Sequence, residues 1–261
     1  MSLPIADKRL GQHFLRDAHI IETITSDHAD GDHAILEIGP GPAILTPHLA
    51  ARGRPFAVIE MDRRFEELLL PITPNVHIGD ALKVDLDSFI AEKFPGREVL
   101  LVSNLPYNVS VPLLTKFIAT PAITCMTLMF QKEVADKVFS ESRNGLGSLM
   151  ALTCAYFEVK PLCKVPPGAF APPPKVDSAV ISLTRRAQPL IPFDQMKHYE
   201  TFLRLFFSQK RKQIGSVLKT RYSSEQIESS LAKIGHNRTI RAEALTLDNV
   251  IKLYQFLESA Q

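Results

Sequence analysis

The sequence lacks the features that mark membrane and secreted proteins. No uninterrupted apolar segment approaches the length that spans a bilayer, and residues 1–8 contain no basic stretch leading into a long apolar run. Only three cysteines are present, Cys125, Cys154 and Cys163, and none of them lies in a CxxC pair. We therefore expect a cytoplasmic protein without a metal site, in which the thiols are inert.

Internal repeats and low-complexity segments are also missing, and the apolar pattern instead predicts an α/β fold. From about residue 32, short apolar runs alternate with stretches of helical spacing, which is typical of a sheet whose strands are joined by crossover helices. A short helix is predicted at 16–26. Seven strand candidates fit one doubly wound sheet, and they are 34–38, 55–60, 75–78, 98–103, 123–130, 149–157 and 176–185.

The C-terminal part of the chain follows a different pattern. Prolines make the segment 165–174 a rigid loop, and beyond Arg186 the apolar residues keep helical spacing only. Residues 1–180 carry a net charge of −4, whereas residues 181–261 carry +6. The sequence therefore predicts two domains, 1–188 and 189–261, with a boundary near Pro189. The second is a small all-α domain whose basic surface is either a phosphate-binding footprint or an ordinary solvated surface.

A glycine-bearing turn, Glu37–Gly41, follows the first strand and would let a ligand approach the backbone closely. A dinucleotide fingerprint would need glycine at position 44, where this chain has Ile44, so the turn disfavours NAD. Glu60 ends the second strand and can accept hydrogen bonds from both hydroxyls of a ribose. Asp80, just past the third strand, can accept one from an adenine amine, or it can cap a helix. Together these features resemble the class I methyltransferases, which use S-adenosylmethionine.

The segment Asn104-Leu105-Pro106-Tyr107 follows the fourth strand and indicates the reaction. Adenine N6 is a poor nucleophile because its lone pair is delocalised into the ring, so an enzyme must hold it in line with the methyl group. The Asn104 amide oxygen and the Leu105 carbonyl can accept the two N6 hydrogens, which localises the lone pair on the nitrogen. Tyr107 offers a ring on which an extruded base can stack. The segment therefore predicts methylation of an exocyclic adenine amine.

Over nearly the whole chain, the sequence resembles the KsgA/RsmA family of small-subunit (16S) ribosomal RNA adenine dimethyltransferases, which is related to the Erm resistance methyltransferases and to mitochondrial transcription factor B. The matching segments are GQHFL at 11–15, the glycine turn, Glu60, Asp80-Ala81, NLPY at 104–107, QKEVA at 131–135 and PPPKVDSAV at 172–180. Leu105 and the triple proline favour the ribosome-maturation branch over the resistance enzymes.

The resemblance implies a Rossmann-like, seven-stranded S-adenosylmethionine domain. It also implies dimethylation of two adjacent adenines near the 3′ end of 16S rRNA within a small (30S) subunit precursor. Nothing in the sequence demands a dimer, and we expect a monomer.

The resemblance also assigns roles to individual residues. It places the cofactor against His13, Leu15, Gly39, Glu60, Asp80 and Asn104, and the base against Asn104, Leu105 and Tyr107. Phe170 is similar to the family aromatic that covers the other face of the adenine, with a packing role as the alternative. The chain departs from the family pattern at two positions, because the family usually has asparagine where His13 stands and glycine where Ala43 stands.

A basic segment in the helical domain, with Lys210, Arg211 and Lys212, can lie along a phosphate backbone, and Arg238 and Arg241 extend its charge. Two other functions remain open at this point. One is an Erm-like methylase of 23S rRNA, and the other is a non-catalytic RNA-binding assembly or transcription factor on the same fold. A nicotinamide dehydrogenase is a distant third, disfavoured by Ile44.

Overall fold

The computed structural model describes residues 12–139, 146–209 and 212–259. Contacts divide the chain into two units. The first contains the described residues up to Ala135 together with Glu158–Arg185, and the second contains Asp136–Phe157 and the residues from Arg186 onward. No helix in the described ranges is long and apolar enough to cross a membrane.

The strands in chain order are β1 (Phe14–Leu15), β2 (Ala34–Ile38), β3 (Phe56–Glu60), β4 (Val76–Ile78), β5 (Val99–Asn104), β6 (Ile123–Gln131), β7 (Phe157–Val165), β8 (Phe170–Ala171) and β9 (Ser178–Arg185). The helices are α1 (Ala18–Ser26), α2 (Thr46–Ala50), α3 (Glu66–Leu69), α4 (Leu86–Lys93), α5 (Ser110–Ala119), α6 (Lys132–Val138), α7 (Ser148–Tyr156), α8 (Met196–Phe206), α9 (Ile214–Leu218), α10 (Ser224–Lys233) and α11 (Leu247–Glu258).

Seven of the strands form one sheet, in the order β4-β3-β2-β5-β6-β9-β7. Strands β4, β3, β2, β5 and β6 run parallel, and β9 runs antiparallel to β6. Every residue of β2 and β3 is buried, as expected of central parallel strands covered on both faces. Because parallel strands end at the same edge, residues that follow β2, β3, β4 and β5 meet there. The predicted seven-stranded α/β sheet is therefore confirmed.

One strand prediction was wrong. Residues 149–157 were expected to form a strand, but Ser148–Tyr156 is helix α7 and the seventh strand, β7, begins at Phe157. The run is apolar almost throughout, so its periodicity does not separate a buried helix from a buried strand, and its Leu, Met and Ala residues favour helix. Strand β7 was missed because its charged residues and Pro161 break the apolar pattern, which an edge strand tolerates.

A second, two-stranded sheet joins the N-terminal segment to the proline-rich loop. Strand β1 pairs antiparallel with β8, with Phe14 opposite Ala171 and Leu15 opposite Phe170. Arg16 continues the contact, because its backbone N–H donates to the Ala169 carbonyl at 2.8 Å. This pairing places residues 12–15 at the edge of the large sheet where the site lies.

The second unit is helical after Arg186, as the apolar spacing predicted. Helix α8 buries Tyr199, Phe202, Leu203 and Phe206, and the ring of Tyr254 on α11 lies 5.0 Å from that of Tyr199. Helices α10 and α11 both begin with capping boxes, in which Ser223 and Thr246 bond reciprocally with the third residue of the helix. The boundary near Pro189 and the division of roles between 1–188 and 189–261 stay predictions.

Candidate active site

A cavity of about 300 Å³ lies at the carboxyl edge of the parallel strands. Four strand-end segments and the N-terminal segment line it, which is the position where open α/β sheets bind ligands. The predicted site residues found in its wall are His13, Leu15, Gly39, Glu60, Asp80, Asn104, Leu105 and Tyr107. The structure thus brings together eight residues that the sequence scatters between positions 13 and 107.

The glycine turn after β2 depends on left-handed backbone. Gly39 has φ 67° and Gly41 has φ 55°, a region that glycine enters without a steric penalty. A Cβ added at Gly39 would face open space, so the backbone rather than crowding requires glycine there. Ala43, where the family pattern has glycine, also has a positive φ of 60°. The turn therefore keeps its shape although alanine is strained at that position.

Glu60 links the glycine turn to the second strand. Its two carboxylate oxygens accept separate backbone bonds, Oε2 from the Gly41 N–H at 2.8 Å and Oε1 from the Asp62 N–H at 2.7 Å. A carboxylate offers about four acceptor positions and its backbone bonds do not fill them all, so Glu60 can accept from a further donor. Burial raises the pKa of Glu60, and backbone hydrogen bonds from Asp62, Gly41 and Met61 oppose that shift. The geometry suits a vicinal diol such as the ribose of a nucleoside.

Asp80 supports a turn and also faces the cavity. Its Oδ1 accepts from the Leu82 N–H at 2.9 Å and so closes a turn; the helix-cap alternative was wrong, because Asp85 caps the next helix, α4. The bond leaves Oδ2 available, and the residue lines the cavity wall. The carboxylate can therefore hold its loop and still accept a bond from a ligand amine.

Asn104, at the end of β5, has a fixed amide orientation. Its Nδ2 donates to the His13 backbone carbonyl at 3.3 Å, so its Oδ1 must point elsewhere and can accept a hydrogen bond. The next backbone N–H, of Leu105, is engaged by the Met129 carbonyl at 3.2 Å. This arrangement leaves an acceptor at the place where the sequence predicts the adenine amine.

Tyr107 is held at its hydroxyl and on one face of its ring. The hydroxyl shares a hydrogen bond of 2.9 Å with the Ser178 hydroxyl, and burial raises the pKa of the phenol, so it stays neutral. The imidazole of His13 stacks on the ring with 5.6 Å between centroids and 25° between planes. The ring is thus positioned before any base arrives.

Phe170 lies outside the cavity wall in the structure. It is 1% exposed, belongs to the hydrophobic core and pairs with Leu15 through the β1–β8 ladder. The packing alternative describes its observed position, and a contact with the base would require a different arrangement of its loop.

The cavity wall also contains residues for which the sequence predicted no individual role, among them Gln12, Glu37 and Met61. Gln12 donates to Asp62 Oδ2 at 2.9 Å and so ties the N-terminal segment to the Glu60 side of the cavity. Met61 is 57% exposed and offers an apolar surface next to Glu60. In the sequence, the signal for this residue was a methionine directly after Glu60. Single apolar residues at the surface are too common for such a signal to identify a site.

Glu37 is the least expected member of this wall. It lies in the buried strand β2, 1% exposed, and its Oε2 has no hydrogen-bond partner. Burial raises its pKa to about 8, the Thr46 hydroxyl opposes the shift, and the charge of Glu60 adds to it. Glu37 therefore holds a proton at neutral pH. An acidic residue inside an otherwise apolar strand was the sequence signal.

The predicted RNA-binding residues lie in the second unit. Lys210 and Arg211 fall outside the described residues. The segments that carry the other three are joined by an antiparallel bridge between Gln213 and Arg241, and by the Ile214 N–H bonded to the Ile240 carbonyl at 2.8 Å. Lys212 and Arg241 are exposed, whereas Arg238 donates to Glu228 at 2.6 Å. The pairing thus brings two exposed cations, Lys212 and Arg241, to neighbouring positions.

Comparison with known proteins identifies the family. The model of the family described as "Ribosomal RNA adenine dimethylase" matches residues 5–259. Ribosomal RNA small subunit methyltransferase A of Pseudomonas aeruginosa is 38% identical over 256 residues, covering 95% of this chain and 93% of the relative. The protein of the same name from Shewanella woodyi is 34% identical over 267 residues, covering 98% and 96%.

Two solved structures share the fold over the same length. The 23S rRNA methyltransferase ErmE superposes with a TM-score of 0.72 at 28% identity, covering 94% of this chain and 99% of that chain. A dimethyladenosine transferase from Plasmodium falciparum gives 0.75 at 24% identity, covering 95% and 98%. The family match, which spans both units, and the cavity built around Asn104 and Tyr107 agree with each other. The chain belongs to the ribosomal RNA adenine dimethylase family.

Proposed function

We propose that this protein transfers methyl groups from S-adenosylmethionine to the N6 amines of two adjacent adenines near the 3′ end of 16S rRNA. It acts as a cytoplasmic monomer on a precursor of the 30S subunit. The observation that carries the proposal is the fixed Asn104 amide beside Tyr107, in a cavity that also contains Glu60 and Asp80. The names of the relatives that match nearly the full chain support the small-subunit substrate.

The cavity wall fits S-adenosylmethionine on its own chemistry. Glu60 can accept from a ribose hydroxyl, Asp80 Oδ2 can accept from the adenine amine, and Met61 offers an apolar surface for the ring. The glycine turn allows close approach to the backbone of Gly39. His13 and Leu15 close the cavity from the N-terminal segment. The cofactor, when bound, supplies an electrophilic methyl group.

The residues at the end of β5 act on the base. Asn104 Oδ1 and the Leu105 carbonyl accept the two N6 hydrogens, so the lone pair is localised on the nitrogen as positive charge develops there. Tyr107 stacks with the extruded base, which contributes about 1–3 kcal/mol. No strong base is needed, because the methylated nitrogen is acidic enough to lose its proton to water. Phe170 covers the second face only if its loop rearranges.

The second unit binds the RNA backbone. Lys212 directly precedes Gln213, the bridge partner of Arg241, and Lys210 and Arg211 precede Lys212 in sequence. Arg238 stays in its ion pair with Glu228 unless a phosphate competes for it. Structured RNA is read largely through shape and phosphates, so such a surface selects the particle while the cavity selects the base.

Methyl transfer with mapped products tests the proposal. The protein is incubated with labelled S-adenosylmethionine and either small-subunit particles that lack the modification or protein-free large-subunit RNA. We expect label on two adjacent adenines near the 3′ end of 16S rRNA. Label on the large-subunit RNA alone would show an Erm-like methylase, and binding without label would show a non-catalytic RNA-binding factor.

The Asn104→Ala variant tests the role of the amide. Loss of a donor or acceptor aimed at developing charge lowers kcat by about 100- to 1000-fold. We expect that loss with particle binding kept within a few fold. Asn104→Asp keeps an acceptor but removes the donor to the His13 carbonyl, so it should retain more activity than the alanine variant. Equal loss of transfer and of particle binding would mean that the segment is structural.

A further inference from the structure

We propose that His13 is a positioning residue of the base site, because its imidazole, anchored to the Pro172 carbonyl, supports one face of Tyr107 while its own carbonyl orients Asn104. This inference rests on the proposed function and deepens it. It gives His13 a role toward the RNA base that is distinct from a contact with the cofactor. The role belongs to this chain, since an asparagine at this position would offer no aromatic face.

The anchor of the imidazole is a single hydrogen bond. His13 Nδ1 lies 2.9 Å from the Pro172 carbonyl oxygen. A carbonyl only accepts, so Nδ1 carries the proton and donates, which sets the ring orientation. The β1–β8 ladder begins at the next residue, where Phe14 pairs with Ala171, so backbone bonds hold both partners of this contact in register.

The stack on Tyr107 leaves one face of the phenol ring for the base. The ring centroids lie 5.6 Å apart with 25° between planes, within the range of offset aromatic stacking. At its hydroxyl, Tyr107 is bonded to Ser178, which lies beyond the same proline-rich loop as Pro172. A ring that is fixed before binding loses less conformational freedom when the base stacks on it. The expected order in the complex is base, Tyr107, His13.

The main chain of His13 acts on the second catalytic residue. Its carbonyl accepts from Asn104 Nδ2 at 3.3 Å, which turns Asn104 Oδ1 toward the acceptor position for N6. One residue of the N-terminal segment therefore contacts two of the three residues that handle the adenine, Asn104 and Tyr107. The backbone contact survives substitution of the side chain, so a variant of His13 can separate the two effects.

Three variants separate the contributions of the ring. His13→Ala removes the stack, His13→Phe keeps an aromatic face without the Nδ1 donor, and His13→Asn introduces the residue usual in the family. His19→Ala is the matched control, because His19 is an exposed histidine on α1. An aromatic pair contributes about 0.5–1.5 kcal/mol, which corresponds to a change of about 2- to 13-fold.

His13→Ala and His13→Asn both remove the aromatic face. We therefore expect kcat/KM for small-subunit particles to fall by about 3- to 10-fold in each variant. His13→Phe should retain more activity than His13→Ala, because it keeps the aromatic face and loses only the Nδ1 anchor, and His19→Ala should be unchanged. The dissociation constant of S-adenosylmethionine, measured by calorimetry without RNA, should change little in every variant. In a Tyr107→Ala background, His13→Ala should cause no further fall in kcat/KM for small-subunit particles.

Two outcomes would overturn the inference. A rise in kcat/KM for His13→Ala would mean that the imidazole occupies the place of the base. Weaker cofactor binding that matches the loss of kcat/KM would make His13 a cofactor contact only.

A spectroscopic test does not depend on catalysis. The chain has five tyrosines, so ring resonances of labelled tyrosine can be assigned with a Tyr107→Phe variant. His13→Ala should shift the Tyr107 signals and His19→Ala should not; unshifted signals in His13→Ala would refute the stack. If the wild type transfers no methyl group to small-subunit particles, the proposed function fails, while these spectra still decide whether His13 holds Tyr107.

Discussion

Replacing Ala43 with glycine should stabilise the protein, although glycine usually destabilises. Ala43 lies in the turn after β2 with φ 60°, the left-handed region that a Cβ disfavours. The strain of an L-residue there is about 1–2 kcal/mol, and glycine avoids it. The structure thus predicts that the chain carries a removable strain inside its glycine turn.

The net magnitude is the difference between this relief and two losses. Glycine increases the conformational entropy of the unfolded chain, which costs about 0.4–1 kcal/mol. Ala43 also packs partly against the core, so a fraction of the roughly 0.8 kcal/mol for one buried methyl group is lost. We expect a net gain of about 0.5 kcal/mol, which corresponds to a rise of about 1–2 °C in Tm for a chain of this size.

A matched control makes the sign measurable. Ala51 caps α2 with φ −62°, is exposed, and suffers no backbone strain. Ala51→Gly should therefore lower the free energy of unfolding by about 0.5–1 kcal/mol. The two variants make the same chemical change, so thermal and urea unfolding should move in opposite directions, about 1–1.5 kcal/mol apart. If Ala43→Gly destabilises as much as Ala51→Gly, the left-handed strain does not exist.

Three further predictions concern charged groups. The pKa of Glu37 is raised from 4.5 to about 8, so between these pH values the folded state holds a proton that the unfolded state releases. The free energy of unfolding therefore falls by about 1.4 kcal/mol for each unit that the pH rises in this range. Urea unfolding of Glu37→Gln should show a flatter pH dependence there; parallel curves would contradict a raised pKa. Removing Lys212 and Arg241 together should reduce the slope of log affinity for RNA against log salt by about 1–2, and an unchanged slope would exclude them from the interface. Arg185→Lys should lower the free energy of unfolding by about 2 kcal/mol, measured by urea titration, because the guanidinium donates to three backbone carbonyls that an ammonium cannot reach together; a loss under a few tenths would refute that role.

The predictable part of the fold was the part in which local pattern and tertiary environment agree. Strands β2 and β3 are apolar, short and bounded by turn residues, and they are buried on both faces. Helix α7 was missed because nearly all of its residues are apolar, which suits either kind of buried element. Strand β7 was missed because its position at the sheet edge, a property of the whole topology, permits Pro161 and charged residues.

The residues of the candidate site also differ in how well the sequence predicts them. Glu60, Asp80 and Asn104 were predictable because each lies at or just past the end of a parallel strand, and such positions meet at one edge of the sheet. The contacts of His13 were not, because they depend on the pairing of β1 with β8, two strands of two residues each. The burial of Phe170 could not be predicted for the same reason, because it depends on the pairing of β1 with β8 and not on the neighbours of Phe170 in sequence.

The structure also explains physically why the glycine turn suits a nucleoside better than a dinucleotide. A pyrophosphate needs free backbone N–H groups at the start of the helix after the turn. Here that helix, α2, has only five residues, and Pro47 in its first turn removes one of the donors. The Gly41 N–H, a further candidate donor, is already bonded to Glu60 Oε2. The Gly41 N–H positions the Glu60 carboxylate and is therefore not available to a phosphate. The turn thus favours a ligand with a ribose diol and no phosphate, which agrees with the absence of glycine at position 44.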